Sequence, residues 1–214
     1  MIARAKVLQP PWKELSRQRE GATFGIWIFL ASELLFFGSL LLLYTAYRVA
    51  NPDVFITAGR ETDLWYGTVN TAVLMTSSLT MAVAAQAAEA DMRHLTIWCL
   101  GATVVLGLMF LVFKGFEYAE DIEKNLVPGA NFALKEPATQ IFFALYWIMT
   151  GIHAIHLSIG LGLVGRLAVF GALRGVQLRE NPQVEVTALY WHLVDVIWII
   201  LYPLIYLMSS SHGR

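Results

Sequence analysis

Only one cysteine, Cys99, occurs among the 214 residues, so an internal disulfide is impossible and a thiolate metal cluster lacks its ligands. Cys99 lies in an apolar segment and reads as a small packed side chain. Charge is scarce too: Asp, Glu, Lys and Arg make up 14% of the chain, against about 25% in soluble domains. The formal net charge of −1 gives no electrostatic footprint for nucleic acid. No small-residue cleavage site follows the first apolar run, which is also too long for a signal peptide. No connection is long enough for a soluble domain, and no internal repeat or low-complexity tract is present. What fills the chain instead is hydrophobic: 57% of its residues, with a mean hydropathy of +0.58. Few charges among many apolar residues mark a membrane protein.

A helix that crosses the hydrocarbon core takes roughly 20 mostly apolar residues. Five segments meet that length, at about 23–47, 66–87, 95–117, 138–165 and 186–208. The expectation is an all-α, polytopic five-helix membrane bundle over 23–208, with a cytoplasmic N-terminal arm at 1–22 and an external tail at 209–214. Turn chemistry joins the spans at Asn51-Pro52-Asp53, Pro128-Gly129-Ala130-Asn131 and Glu180-Asn181-Pro182. Orientation follows the Lys and Arg distribution. Arg4, Lys6, Lys13, Arg17, Arg19, Arg93, Arg166, Arg174 and Arg179 fall on the N-terminal side. They outnumber Arg48, Arg60, Lys124, Lys135 and Arg214 opposite, with Lys114 near that boundary. The N-terminus is therefore predicted to be cytoplasmic and the C-terminus external. The external connections are acidic (Asp53, Glu61, Asp63, Glu120, Asp121, Glu123, Glu136), which reads first as a solvated face.

Small residues recur where helices are expected to meet: Gly25, Ser32, Ser39 and Ala46 in the first span, Asn70, Ser77 and Ala84 in the second, Ala154, Ser158 and Gly162 in the fourth. Such spacing lets helix backbones approach closely. Pro203 is expected to bend the last span. Trp191, Trp198, Tyr202 and Tyr206 read as packing and interface aromatics.

Ionisable residues inside a membrane are functional candidates by default. Here they are Glu33, His153, His156, His192 and Asp195, with Lys114 and Glu117 towards the outer end of the third span. His153 and His156 are three apart, as are His192 and Asp195, which puts each pair on one helix face. At about 1.5 Å per residue, Glu33 falls near mid-membrane and both pairs fall in its inner part. Three readings compete. The four inner groups are reasonable metal or haem ligands, but Asp195 is equally well explained as a partner for His192. A proton path through Glu33 needs a chain of protonatable groups, and none lies between Glu33 and either boundary in its own span. The third reading, favoured by the sequence, is a structural polar core bonded internally, to a partner subunit or to lipid. Glu33 should then be paired with a buried donor or neutral. Lys114 and Glu117 read as a boundary anchor, and Arg93 and His94, in the inner turn beside Asp91, as contacts for lipid headgroups.

In order, SELLFF (32–37), VNTAVL (69–74), ADMRH (90–94), FKGFEY (113–118), GIHAIH (151–156) and YWHLVDVIW (190–198) resemble subunit III of the haem–copper terminal oxidases. The likeness runs from about residue 23 to 208. It implies an accessory, non-catalytic subunit of a proton-pumping cytochrome c oxidase in a bacterial inner membrane. No redox centre would lie in this chain; the haems and copper would belong to subunits I and II. Subunit I would be packed directly against it, with subunit II, small subunits or a respiratory supercomplex as further partners, and phospholipid would be bound. On this likeness Glu33 is the buried acid of a lipid cleft that supports proton uptake. Asn70, His153, His156, His192 and Asp195 form the structural polar core, and no residue is catalytic or metal-binding. Longer members have seven helices, and this chain begins at the third of them, so one wall of that cleft is absent or supplied by another chain. A quinol oxidase, a component beside nitric oxide reductase, and a stand-alone carrier or intramembrane enzyme remain the alternatives.

Overall fold

The structure, a computed structural model, describes residues 14–130, 132–134, 136–173 and 181–207, with Leu15 described in its backbone only. Arg4, Lys6, Lys13, Asn131, Lys135, Arg174, Arg179, Glu180 and Arg214, used above for turns and topology, lie outside the described residues, as does the expected tail at 209–214.

Helices α1 (Leu15–Ala50), α3 (Leu64–Glu89), α4 (Arg93–Glu123), α5 (Pro137–Leu173) and α6 (Pro182–Tyr202) carry the five apolar spans. A short α2 (Pro52–Gly59) follows α1, and α6 runs on into a π-helical turn, Pro203–Leu207. Among the described residues there is no strand. The ends of these helices follow from local chemistry. The Asp63 carboxylate accepts from the Trp65 amide at 2.8 Å, and the Asn181 side chain accepts from Gln183 at 3.0 Å, satisfying amide donors that a helix start leaves open. Pro52 and Pro182 open α2 and α6, where a missing N–H costs nothing. Helices α3 and α4 both stop on a left-handed residue, Asp91 (φ 60°) and Asn125 (φ 55°). In each case the next amide reaches back a full turn, Met92 to the Ala87 carbonyl and Leu126 to the Asp121 carbonyl, both at 2.9 Å. That is the Schellman stop, and the Asx side chains tolerate its backbone.

The helices α3, α4, α5 and α6 close into a four-helix bundle, each packed on the next, with α3 and α4 the most extensive pair. Helix α1 lies outside the bundle against α6 and α5, and only 11% of its spanning window is buried. Its inward stripe is Ile26, Leu30, Glu33, Phe37, Tyr44 and Arg48. At one end of the bundle α2 tucks Phe55 between Tyr44 and Phe142; this is called the α2 end below, and the opposite end the N-terminal end.

The small-residue seams divide. Asn70, Ser77 and Ala84 are buried inside the bundle, as their spacing predicts. Gly25, Ser32, Ser39 and Ala46 of α1 are exposed instead, and so are Ser158 and Gly162 of α5. Ser32 and Ser39 turn their hydroxyls back to the Phe29 and Phe36 carbonyls of their own helix. Close approach is carried by other glycines. A Cβ on Gly107 would stand 2.8 Å from Leu161 and 2.9 Å from Trp191, and one on Gly67 would stand 2.9 Å from Tyr206. Pro203, lacking a backbone N–H, coincides with the change from α- to π-helix rather than a simple bend. The Leu204 carbonyl there is taken up by the Tyr44 hydroxyl at 3.1 Å and Arg48 Nη1 at 3.2 Å, which ties the last turn to α1.

Candidate functional site

Glu33 does not stand alone. Its Oε2 lies 3.0 Å from His156 Nε2, and both side chains are 16% exposed. His156 Nδ1 sits 2.9 Å from the Ile152 carbonyl, which only accepts, so Nδ1 carries a proton. The Glu33–His156 pair fastens α1 to α5, with the Phe37 ring packed edge-on against His156 at 5.4 Å.

The sequence placed His153 and His156 nearer the inner side than Glu33, and this is corrected by the contact of His156 with Glu33. Helix α5 runs on to Leu173, so His153 and His156 flank its midpoint and His156 is level with Glu33 at the middle of α1. Nor do the two histidines serve one site. The His153 ring lies inside the bundle, tilted on Trp198 at 4.9 Å between centroids and edge-on to Phe110 at 5.6 Å. Trp198 in turn donates to Thr71 Oγ1 at 3.1 Å, and Trp191 donates to Ser77 at 3.3 Å. Asn70 and His153 are fully buried with no hydrogen-bond partner among the described residues. His192 Nδ1 bonds Ser78 at 2.9 Å, and the buried Asp195 carboxyl is 4.0 Å from the same nitrogen.

These groups therefore divide among three surroundings: His156 with Glu33, His153 with Trp198, and His192 with Ser78 and Asp195. Among the described residues no three His, Cys, Asp or Glu side chains come together to hold a metal ion.

The boundary role expected for Lys114 and Glu117 is also corrected. Both are 2% exposed, turned into the bundle rather than toward lipid. Lys114 Nζ donates to Glu117 Oε2 at 3.0 Å, Tyr146 Oη at 3.0 Å and Tyr206 Oη at 2.8 Å. Glu117 Oε1 lies 2.9 Å from Tyr146 Oη and 2.5 Å from Tyr206 Oη. Asp121, 4% exposed, brings Oδ2 within 2.9 Å of Tyr146 Oη. An ammonium enters a helix bundle at this depth only with such a counter-charge and full donor use. The solvated face expected for Asp121 is corrected too: it is buried, and Lys114, Glu117 and Asp121 at spacings of three and four share one helix face. Tyr146 and Tyr206 carried no signal, because only packing brings α5 and the π-helical turn to that face.

Arg93, expected at lipid headgroups, is committed elsewhere: its Nη2 and Nε reach the Gly171 carbonyl at 2.8 and 3.2 Å, and Nη2 reaches Ala172 at 3.3 Å. It caps the end of α5, where helix carbonyls lack partners and a cation is favoured. His94, beside it, is exposed.

Five helices long and apolar enough to cross a membrane, four closed into a bundle and the fifth pinned to its flank, make a multi-pass membrane protein. The profile of the family described as cytochrome c oxidase subunit III matches residues 14–210, and the chain belongs to that family. It is thus a subunit III of the haem–copper oxidases, which associates with other oxidase subunits. Cytochrome c oxidase subunit 3 of Bacillus subtilis (strain 168) is 30% identical over 187 residues, covering 86% of this chain and 85% of its own length. The probable quinol oxidase subunit 3 of Staphylococcus haemolyticus (strain JCSC1435) is 27% identical over 200 residues, 92% of this chain and 95% of its own. Cytochrome bo(3) ubiquinol oxidase subunit 3 of Pseudomonas aeruginosa PAO1 is 27% identical over 193 residues, 87% of this chain and 85% of its own.

Proposed function

We propose that this chain is a bracing subunit of a cytochrome c-oxidising, proton-pumping complex in a bacterial inner membrane. It holds no redox centre and performs no bond-making step. It packs on the oxygen-reducing subunit, retains phospholipid beside α1 and supports proton uptake by its neighbour. Its N-terminus is cytoplasmic, so the α2 end faces outward. The haems and copper of the complex, in subunits I and II, supply the electron transfer and oxygen chemistry.

The observation that carries this reading is the Glu33–His156 pair. The one ionisable group of α1's apolar stretch is spent on fastening a largely exposed helix to the bundle. That is a bracing arrangement, and it leaves the outer face of α1, with Gly25, Ser32, Ser39 and Ala46, free for a helix or lipid outside this chain.

The test is Glu33→Gln beside His156→Leu in the assembled oxidase. Oxygen reduction in early turnovers stays near the parent rate in Glu33→Gln, whose amide still reaches His156, while durability over sustained turnover falls in His156→Leu, which loosens α1. Immediate complete loss of oxygen reduction in a correctly assembled complex would refute the bracing role. Omitting the chain should leave the haem spectrum of subunit I unchanged, and metal analysis of the isolated chain should show no stoichiometric iron, copper or zinc.

A second donor is favoured by a specific observation: relatives with quinol oxidase names match about as well as those named for cytochrome c. Assaying the purified complex with reduced cytochrome c and with a quinol separates the two, and a dinuclear copper site in the copurifying subunit II marks the first.

A further inference from the structure

Six hydrogen-bond distances join Lys114, Glu117, Asp121, Tyr146 and Tyr206: three from the Lys114 ammonium, two from Tyr146 Oη to the two carboxyls, and one from Tyr206 Oη to Glu117. An ammonium carries three hydrogens and each phenol one, which makes five. The shortfall falls on Tyr146, whose single hydrogen faces Glu117 Oε1 and Asp121 Oδ2, both at 2.9 Å. Two carboxylates cannot both be satisfied by it.

Charge gives the same result independently. One ammonium with two carboxylates would leave a net negative charge among side chains only 2–4% exposed, which burial strongly disfavours. A sixth hydrogen on one carboxyl repairs both defects. We infer that the cluster is a proton-binding site, with the extra proton held on Asp121 and donated to Tyr146 Oη.

The choice of Asp121 rests on position. Glu117 touches the ammonium directly and accepts from three donors, an arrangement that suits a carboxylate. Asp121 lies in the last turn of α4, where the helix carbonyls point and a negative charge is disfavoured. Tyr146 Oη then accepts from Lys114 and Asp121 and donates to Glu117, using its full capacity. The facing groups from other elements are uncharged phenols and rings: Tyr146 of α5, Tyr206 of the π-helical turn and Trp198 of α6. On α4 itself Glu120 is engaged with Tyr66 of α3 at 2.9 Å, and Lys124, whose backbone N–H closes the helix end, is exposed, so its ammonium acts on Asp121 through solvent screening. The site therefore binds one proton with the bundle neutral, at the α2 end of a subunit whose partners move protons.

Infrared spectroscopy of the full chain in detergent, with carbon-13-labelled aspartate, tests this. At neutral pH a protonated-carboxyl band that shifts with the label is expected, and the part due to Asp121 disappears in Asp121→Asn. Asp195 is a second buried aspartate, so the measurement is repeated in Asp195→Asn. There the remaining aspartates, Asp53, Asp63 and Asp91, are exposed, and a label-shifted band must persist. Glu117→Gln in that background gives the sharper outcome: the ammonium loses its carboxylate, Asp121 ionises to replace it, and the band vanishes although Asp121 is unchanged. No label-shifted band in Asp195→Asn, or a band undiminished by Glu117→Gln, would overturn the assignment.

Discussion

His156 Nε2 and Glu33 Oε2 stand 3.0 Å apart, while the other ring nitrogen is committed to the Ile152 carbonyl, so one imidazole bridges α5 to α1. Replacing either partner tests which feature matters. In Glu33→Gln the amide N–H can still donate to Nε2, and α1 should remain docked with little loss. In His156→Leu the carboxyl keeps no partner, and stability should fall by about 1–3 kcal/mol. Thermal unfolding of the two variants in detergent, followed by far-UV circular dichroism, checks the order. Equal losses would mean that shape rather than the polar contact holds α1.

Lys114→Met should be far more damaging than its size suggests. It leaves Glu117 buried without its cation, and breaking such a pair costs about 3–5 kcal/mol. Adding Glu117→Gln to Lys114→Met should recover most of that loss, giving a large coupling in a double-mutant cycle. The yield of folded chain and its melting temperature are the readouts.

Two glycines of α4 should behave in opposite ways. Gly107→Ala drives a methyl against Leu161 and Trp191 at under 3 Å, and overpacking of this kind costs about 1–3 kcal/mol. Gly101 has nothing within 4 Å of a built Cβ among the described residues, so Gly101→Ala should be neutral or slightly stabilising through helix propensity. Melting temperatures of the two variants, measured side by side, decide it.

Arg93→Gln should fray the end of α5. The guanidinium's bonds to the Gly171 and Ala172 carbonyls are lost, a change of about 1 kcal/mol. Hydrogen exchange should rise locally in the last turn of α5, and to the same extent in neutral and anionic lipid. A change confined to anionic lipid would return Arg93 to a headgroup role.

The two polar clusters were legible to different degrees. Glu33 and the GIHAIH histidines were conspicuous because an ionisable side chain in an apolar run is rare, but spacing alone put His153 and His156 to one purpose. Packing separated them, since α1 covers one side of α5 and α6 the other, and residues three apart on a helix are still rotated enough to meet different neighbours. Lys114 and Glu117 stood close enough to a span end to read as an anchor. Their burial follows from where α5 and the π-helical turn happen to lie, which no feature of α4 records.

The sequence by itself determined the five spans, because length and apolar composition suffice once the solvent is lipid and every backbone group must bond within its helix. It also determined the helix ends, through Asp63, Asn181, the prolines, and the Asx residues at Asp91 and Asn125, since those are local chemistry. Only the tertiary structure decided which seam faces inward, that Glu33 meets His156, and that Tyr146 and Tyr206 close around Lys114. In a membrane the apolar face of a helix is satisfied equally by lipid or by another helix. Hydrophobicity therefore does not choose the partner, and the choice falls to shape at the glycines and to the few polar groups that must find one another.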